Sequence, residues 1–273
     1  MRLINFLYLI VPFVSNINVA QKTVANQSFF ICYGKVEPSL IKGYKLVILE
    51  SAHYNQYEIC LFKKNNDKVV AYLSTTEANE YASIFKNVKG TTLGKNSNWN
   101  SFYLDLAAKQ TIEALHLEIN NIKGKGFNGV FLDNLDNTSK WGVLKDYKKP
   151  LIDFIKSIKV KHKNFYVVQN AGLFLAKELR QSTDAILMES VYTNYNFKTK
   201  EYSFREVKDT KTLLNNIKKV SNSVTKPILL LEYTNTYKMK NDLHKRLKTL
   251  NFPFFIANIE LQSIPNFFKP QDK

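Results

Sequence analysis

Two acidic residues each end a short apolar run, and their side chains suggest the first chemistry to consider. Asp133 ends the run in "GVFLDN" (129–134), and Glu189 ends the run in "AILMES" (185–190). Two carboxyl groups can cleave a glycosidic bond when one protonates the leaving oxygen and the other attacks the anomeric carbon or activates water. A strand end would hold each group rigidly. We therefore predict that Asp133 and Glu189 form a catalytic pair, with their individual roles unassigned.

Each of these acids also has a simpler interpretation. Strand ends lead into loops, and loops are polar, so either side chain could cap the next helix or pair with a lysine. This alternative stays open at the level of the sequence.

Polar side chains also lie at or just after the ends of other apolar runs. Examples are Tyr33, Tyr72, Glu77, Asn170 and Glu232. In a barrel of parallel strands such ends meet on one face, which is where active sites of that fold lie. A set of carboxylates, amides and tyrosines suits a polar, hydroxyl-rich ligand, so these residues are candidates for substrate binding.

Other reaction classes find little support in the sequence. The four histidines have no second histidine or cysteine at a metal-ligand spacing. The chain contains no G-x-S-x-G motif, no phosphate-binding P-loop and no dinucleotide fingerprint. We expect neither a metal nor a cofactor.

The apolar runs themselves indicate the fold that positions these residues. Each is four to seven residues long and continuous rather than alternating, as in strands that are buried on both faces. Helical patterns lie between most of them, which indicates βαβ units and a parallel sheet. We predict an α/β fold with a single (β/α)8 TIM barrel and an abbreviated first unit, and an extended piece at 102–107. The eight runs are 29–34, 45–50, 69–74, 129–134, 165–170, 185–190, 228–233 and 254–260.

The first 20 residues have the features of a secretory signal. Arg2 precedes the apolar segment "LINFLYLIVPFV", and Ala20 is a small residue at the predicted cleavage point. The segment is too short to span a bilayer as a helix, although a buried N-terminal strand is the alternative. We predict a signal peptide at 1–20, a barrel domain at 21–273, export to the periplasm or the medium, and no stable membrane insertion after cleavage.

The formal net charge of +16 favours anionic partners in principle. The lysines are spread along the chain without any nucleic-acid recognition motif, so we expect a solvated basic surface and no nucleic acid. Binding of an anionic polymer through that surface is a weaker possibility. Cys32 and Cys60 both have apolar neighbours and are interpreted as small buried residues, with pairing left open.

An aromatic segment follows Glu189 and forms a long predicted loop. It reads "SVYTNYNFKTKEYSF" and includes Tyr192, Tyr195, Phe197 and Tyr202. These rings could stack on sugar faces or cover the edge of the core, and the sequence favours neither.

Four segments resemble glycoside hydrolase family 114, the endo-α-1,4-polygalactosaminidase family. They are "VVAYLSTTEANEY", "WNSFYLDL", "GFNGVFLDNLD" and "VVQNAG" followed by "ILMES", and the third is fairly specific. The resemblance covers roughly residues 29 to 260. It implies a catalytic role for Asp133 and Glu189. It also implies sugar contacts from a larger set: Tyr33, Tyr72, Glu77, Asp105, Asp136, Asn170 and Tyr192.

The prediction from the sequence is therefore an exported glycoside hydrolase that cleaves an α-linked amino-sugar or related polysaccharide. A non-catalytic glycan-binding or polysaccharide-assembly barrel is the alternative, because a fold does not guarantee its family's chemistry. The partner is a polysaccharide in both cases. The sugar, the linkage and the oligomeric state are not determined by the sequence.

Overall fold

A computed structural model describes residues 29–267, which contain thirteen strands. Eight of them form one parallel sheet, and these match the eight predicted apolar runs. Numbered in chain order, they are β1 (Phe29–Cys32), β2 (Leu46–Leu49), β3 (Val69–Ser74), β7 (Gly129–Asp133), β8 (Tyr166–Asn170), β9 (Ala185–Glu189), β12 (Ile228–Tyr233) and β13 (Phe254–Ala257).

The sheet curls into a nearly closed barrel, as predicted. Its strand order is β1-β2-β3-β7-β8-β9-β12-β13, with parallel pairing at every step. The first and last strands meet through side chains, because the ring of Phe255 packs against those of Phe29 and Phe30. Beyond the strands, the Tyr33 N–H donates to the Leu261 carbonyl at 2.6 Å. The fold is therefore the predicted (β/α)8 TIM barrel.

Helices cover the outside of the barrel. They are α1 (Gln56–Asn65), α2 (Phe85–Val88), α3 (Lys109–Gly124), α4 (Lys148–Lys161), α5 (Val207–Ser223) and α6 (Tyr237–Lys248). Between β1 and β2 the described chain has only a short 3-10 turn at Pro38–Leu40, so the first unit is abbreviated as expected.

Two small antiparallel sheets extend from the main barrel. The first lies between β3 and α3 and contains β4 (Glu77–Asn79), β5 (Thr92–Asn96) and β6 (Ser101–Leu104) in the order β4-β6-β5. The predicted extended piece at 102–107 falls partly in β6. The second lies between β9 and α5 and is a hairpin of β10 (Thr193–Asn196) and β11 (Glu201–Phe204).

Alternate side chains of the barrel strands point to different cores. In β12, Leu229 and Leu231 pack inside the barrel, whereas Ile228 and Leu230 pack against the outer helices. This alternation arises because successive side chains of a strand point to opposite faces of the sheet. It decides which residue at each strand end faces the mouth of the barrel.

Glycines in the "GFNGVFLD" segment serve backbone geometry. Gly126 has a φ of +92°, which side chains rarely adopt. A Cβ at Gly129 would lie 1.8 Å from the Tyr166 carbonyl oxygen, so β7 and β8 can pair closely only with glycine there. These two residues let the strand that carries Asp133 start in register.

The cysteines do not match the expectation in full. Cys32 is buried, but Cys60 is exposed, and neither forms a disulfide. The prediction for Cys60 was wrong because α1 buries Ile59 and Phe62 and turns the next position to solvent.

The predicted signal segment at 1–20 lies outside the described residues and stays a prediction. Within residues 29–267, none of the helices has the length and apolar character needed to cross a membrane.

Candidate active site

Asp133 and Glu189 are the last residues of β7 and β9, and both face the mouth of the barrel. Each lies two positions after a side chain of the barrel interior, Phe131 in one case and Leu187 in the other. Because side chains alternate along a strand, this spacing directs both carboxylates to the same interior face. The structure thus brings together the two acids that the sequence paired.

Asn170 connects the two carboxylates. It ends β8, the strand that lies between β7 and β9. Its Nδ2 donates to Asp133 Oδ1 at 2.6 Å and to Glu189 Oε1 at 2.7 Å. Those two oxygens are therefore no more than 5.3 Å apart, which is the sum of the two hydrogen-bond lengths.

Only the Nδ2 group of the Asn170 amide forms hydrogen bonds among residues 29–267. Its Oδ1 is buried and has no hydrogen-bond partner among residues 29–267. Leaving a buried acceptor unpaired costs stability. The side chain is therefore oriented so that Nδ2 contacts both carboxylates, and this orientation leaves Oδ1 unpaired among the described residues.

Asp133 accepts two further hydrogen bonds. The Tyr72 hydroxyl donates to Oδ2 at 3.0 Å, and the Asn134 N–H donates to Oδ1 at 2.8 Å. Burial raises the pKa of Asp133 above its ordinary value, while the donors from Asn170, Asn134 and Tyr72 oppose that rise. Together these donors stabilise the ionised form of Asp133.

Glu189 accepts two hydrogen bonds, one fewer than Asp133. The Tyr233 hydroxyl donates to its Oε2 at 2.7 Å. Burial and then the nearby charge of Asp133 raise the pKa of Glu189 to about 7. Of the two acids, Glu189 is therefore the better placed to hold a proton near neutral pH.

Tyr33, Tyr72 and Tyr233 line the same site, and the hydroxyls of Tyr72 and Tyr233 donate to the two carboxylates. The rings of Tyr33 and Tyr72 pack at 4.6 Å between centroids. Burial, followed by the negative charges nearby, raises the pKa of Tyr33, Tyr72 and Tyr233 well above the ordinary value. These hydroxyls consequently stay protonated in the working range of pH.

The backbone turns left-handed directly after each of the three central strands. Asn134, Ala171 and Ser190 have φ values of 65°, 52° and 52°. For alanine and serine this conformation is strained, and such strain clusters at functional sites. These three residues directly follow Asp133, Asn170 and Glu189 in the chain.

The two carboxylates, Asn170 and the three tyrosines line a cleft of about 1050 Å³. The volume is slightly above the ~300–1,000 Å³ usual for ligand pockets, which leaves room for more than one sugar. The described lining includes six acidic residues and one lysine, Lys125, on a chain of net charge +16. The acidic residues are Glu50, Glu77, Glu118, Asp133, Glu189 and Glu260.

Glu77 lines this cleft, but its carboxylate is occupied by hydrogen bonds from neighbouring side chains. It is buried in β4 and accepts hydrogen bonds from the side chains of Asn96, Ser101 and Asn137. The contact with Asn137 is 2.7 Å. Glu77 thereby joins the small β4–β6 sheet to the loop after β7.

Glu232 and Tyr192 lie elsewhere, and their expected sugar contacts need correction. Glu232 is fully buried, and it accepts hydrogen bonds from the Tyr192 N–H, the Thr193 N–H and the Thr193 hydroxyl. The Tyr192 ring packs with the outer core and lies beside Arg246 of α6. Strand alternation explains the placement of Glu232, which lies on the outward side of β12.

Asp105 and Asp136 are also absent from the described lining of the cleft. Asp105 caps the turn before α3, where its Oδ1 accepts the Ala107 N–H at 2.8 Å. Asp136 Oδ1 accepts the Gly172 N–H at 2.9 Å and ties the loop after β7 to the loop after β8. Both shape loops near the cleft rather than its surface.

The cleft also contains residues that were not among the predicted site residues, and these include Tyr233, Glu50 and Trp99. Tyr233 contacts Glu189, while Glu50 and Trp99 line the cleft. The site predicted from the sequence contains its neighbour Glu232 instead of Tyr233. Counting two positions on from Leu231 would have identified it, but only with knowledge of which face of β12 points inward.

Comparison with known proteins now decides the family. The sequence profile of glycoside-hydrolase family GH114 matches residues 14–269. The chain belongs to family GH114. Its function is that of a glycoside hydrolase.

Two solved structures share the fold of this chain. The glycoside hydrolase domain of PelA from Pseudomonas aeruginosa superposes with a TM-score of 0.77 at 21% identity, covering 87% of this chain and 96% of that one. Aspergillus fumigatus Ega3, solved in complex with galactosamine, gives a TM-score of 0.67 at 17% identity, covering 89% and 94%. At these identities the structural likeness supports the fold alone. Among curated protein sequences the chain has no match.

Proposed function

We propose that this GH114 protein cleaves an α-linked, galactosamine-containing polysaccharide by a two-step mechanism with retention of configuration. The observation that carries the proposal is the Asn170 amide, which donates to both carboxylates. The facing oxygens are at most 5.3 Å apart, which is consistent with the short carboxylate separation of retaining enzymes, ~5–5.5 Å. This separation leaves too little room for the water of an inverting enzyme, which needs ~6.5–9.5 Å.

The surroundings of the two acids support separate roles. Asp133 receives three hydrogen bonds that favour its anion, which suits the nucleophile. Glu189, whose pKa is raised to about 7, holds the proton that the leaving group needs.

The reaction then follows in two steps. Asp133 attacks the anomeric carbon while the bond to the leaving oxygen breaks, and that oxygen takes the proton of Glu189. In the second step the Glu189 carboxylate removes a proton from water. The water oxygen attacks the same carbon and releases Asp133, which restores both groups.

The charge of the cleft supports a cationic amino sugar. A basic protein repels a cationic polymer at long range. The six acidic residues in the lining oppose that repulsion where the sugar would bind. The presence of galactosamine in the Ega3 structure makes this sugar the first to test.

The test uses a partially deacetylated α-1,4-galactosamine polymer and detects new reducing ends. Wild-type protein is expected to release them, with the α-anomer formed first when the products are followed by NMR. Glu189→Gln and Asp133→Asn should each lower kcat by about 10²–10⁴-fold while the protein stays folded. Full activity in either variant overturns the assignment, and a β-anomer formed first overturns retention.

Binding of the polymer by the wild-type protein without turnover gives a different result. It would favour the non-catalytic glycan-binding barrel, particularly if neither substitution changes the affinity.

We also propose that the protein is exported. The support is the apolar segment after Arg2 and the small residue Ala20 before Gln21. Mass spectrometry of the protein from an expressing cell should give a mature N-terminus at Gln21 outside the cytoplasm. An intact Met1 on cytoplasmic protein would overturn this proposal.

A further inference from the structure

Two hairpin tips meet at the mouth of the barrel. Trp99 lies in the turn between β5 and β6, and Phe197 lies in the turn between β10 and β11. Their rings contact edge to face, with 5.1 Å between centroids and 81° between planes. The hairpins extend from β3 and β9, and the two strands between them, β7 and β8, carry Asp133 and Asn170.

Trp99 belongs to the same cleft as the carboxylate pair. It lines the cavity that contains Asp133 and Glu189. About half of its surface, 54%, is exposed, so the contact with Phe197 leaves part of the ring open. Part of the indole surface is therefore still accessible to a ligand after the two hairpins have packed together.

The position of Trp99 is supported by a chain of aromatic contacts. Phe197 packs against Tyr195 at 5.1 Å, and Tyr195 packs against Tyr202 at 4.8 Å. The Tyr202 hydroxyl accepts the Ile259 N–H at 3.0 Å, and Ile259 also lines the cleft. A ring that is held in place before binding loses little freedom when a ligand arrives.

We propose that Trp99, supported by Phe197, is a binding subsite for a sugar unit of the polysaccharide other than the unit being cleaved. The inference rests on the proposed function. The indole face can stack on the apolar face of a pyranose ring, and tryptophan is also the aromatic side chain that best attracts a cation such as a protonated amino sugar. Only substrates long enough to reach from the carboxylate pair to the hairpin tips gain from this subsite.

The first experiment compares substrates of different length. Fully deacetylated α-1,4-galactosamine oligosaccharides of graded length are hydrolysed by wild type, Trp99→Ala and Phe197→Ala. Loss of one stacking contact should lower kcat/KM for the longest substrates by about tenfold in Trp99→Ala, with a smaller loss in Phe197→Ala. The shortest cleaved substrate should show no change.

Trp141 provides a matched control. It is 86% exposed, lies in the loop after β7 and is absent from the described lining of the cleft. Trp141→Ala should cleave every substrate as the wild type does. An equal loss in Trp99→Ala and Trp141→Ala would point to a general effect of removing surface tryptophan and would overturn the subsite.

A second experiment detects the contact directly. The chain contains two tryptophans, so Trp141→Phe leaves Trp99 as the only one. In the Glu189→Gln background, in which turnover is slow, addition of the longest oligosaccharide should change the fluorescence of Trp99. The shortest oligosaccharide should not, and the reciprocal Trp99→Phe variant should respond to neither.

The outcomes separate the subsite from the function on which it rests. Wild-type cleavage of long substrates together with an unchanged Trp99 signal and unchanged kinetics of Trp99→Ala overturns the subsite alone. Absence of both cleavage and binding in the wild type overturns the proposed function, and the subsite with it.

Discussion

The Asn170 side chain donates one N–H to each of two buried acids, so its loss affects both at once. We expect Asn170→Ala to lower kcat on the order of 100-fold, because the carboxylates lose their fixed separation. Steady-state kinetics with circular dichroism as a folding check would measure this. Unchanged kcat would show that the spacing is set by the strands alone.

The tyrosines at the two ends of this network should control the pH profile separately. Tyr233 donates to Glu189, and Tyr72 donates to Asp133, so each hydroxyl lowers the pKa of its own acid. Activity needs Glu189 protonated and Asp133 ionised. We therefore expect Tyr233→Phe to move the alkaline limb of kcat/KM to higher pH, and Tyr72→Phe to move the acid limb to higher pH.

The profile of kcat/KM against pH checks both expectations, with each tyrosine variant serving as the control for the other. A shift of the same limb in both variants would contradict the separate roles of the two acids.

At the scale of the elements, Glu232 fixes the chain after β9 to strand β12. Its carboxylate accepts the N–H groups of Tyr192 and Thr193 at 2.9 and 3.0 Å. A glutamine would turn one N–H group towards these donors. We expect Glu232→Gln to lower the free energy of unfolding by about 1–3 kcal/mol. Denaturant unfolding measures this, and the exposed Glu201→Gln is a control expected to have no effect.

The same residue should make stability depend on pH. Burial raises the pKa of Glu232 from its ordinary 4.5 to about 7 in the folded protein. Between these values the folded state keeps a proton that the unfolded state has lost. Stability from this group is therefore full below pH 4.5 and is lost as the pH rises through about 7. Unfolding at a series of pH values should show a flatter dependence in Glu232→Gln.

The segment that precedes β7 forms a contact at the end of the barrel opposite the cleft. Asn128, in the "GFNG" segment, accepts the Val69 N–H through its Oδ1 at 2.8 Å. It precedes β7 and so lies at the end of the barrel opposite the cleft. In TIM barrels residues at that end contribute to stability rather than to catalysis.

At the scale of the whole molecule, an acidic cleft lies within a strongly basic protein. We expect Glu50→Gln and Glu118→Gln to raise KM for a deacetylated polymer at low salt, because each removes a negative charge from the cleft. The difference from wild type should shrink at high salt, where charges are screened.

Glu113→Gln is the matched control for the cleft charges. This residue lies on α3 beside Lys109 and outside the described cleft, so its charge faces solvent. If all three variants raise KM equally, the overall charge of the protein rather than the cleft decides affinity. A fully N-acetylated polymer should be insensitive to all three.

The sequence by itself determined the eight barrel strands, the presence of helices between most of them, and the positions of Asp133 and Glu189 at strand ends. Eight apolar runs gave the eight barrel strands because burial on both faces demands continuous apolar residues. Asp133 and Glu189 were predicted to lie close together because the carboxyl ends of parallel strands meet at one end of a barrel. The inference needed only the order of the elements along the chain.

Tertiary structure alone decided which neighbour at a strand end faces the cleft. A run that is buried on both faces carries no alternating pattern, so Glu232 and Tyr233 were indistinguishable, and the inward one is Tyr233. The sequence also did not reveal which side chains of distant segments contact each other. The Asn170 bridge and the meeting of Trp99 with Phe197 depend on strand order and on hairpin direction, which are properties of the closed barrel.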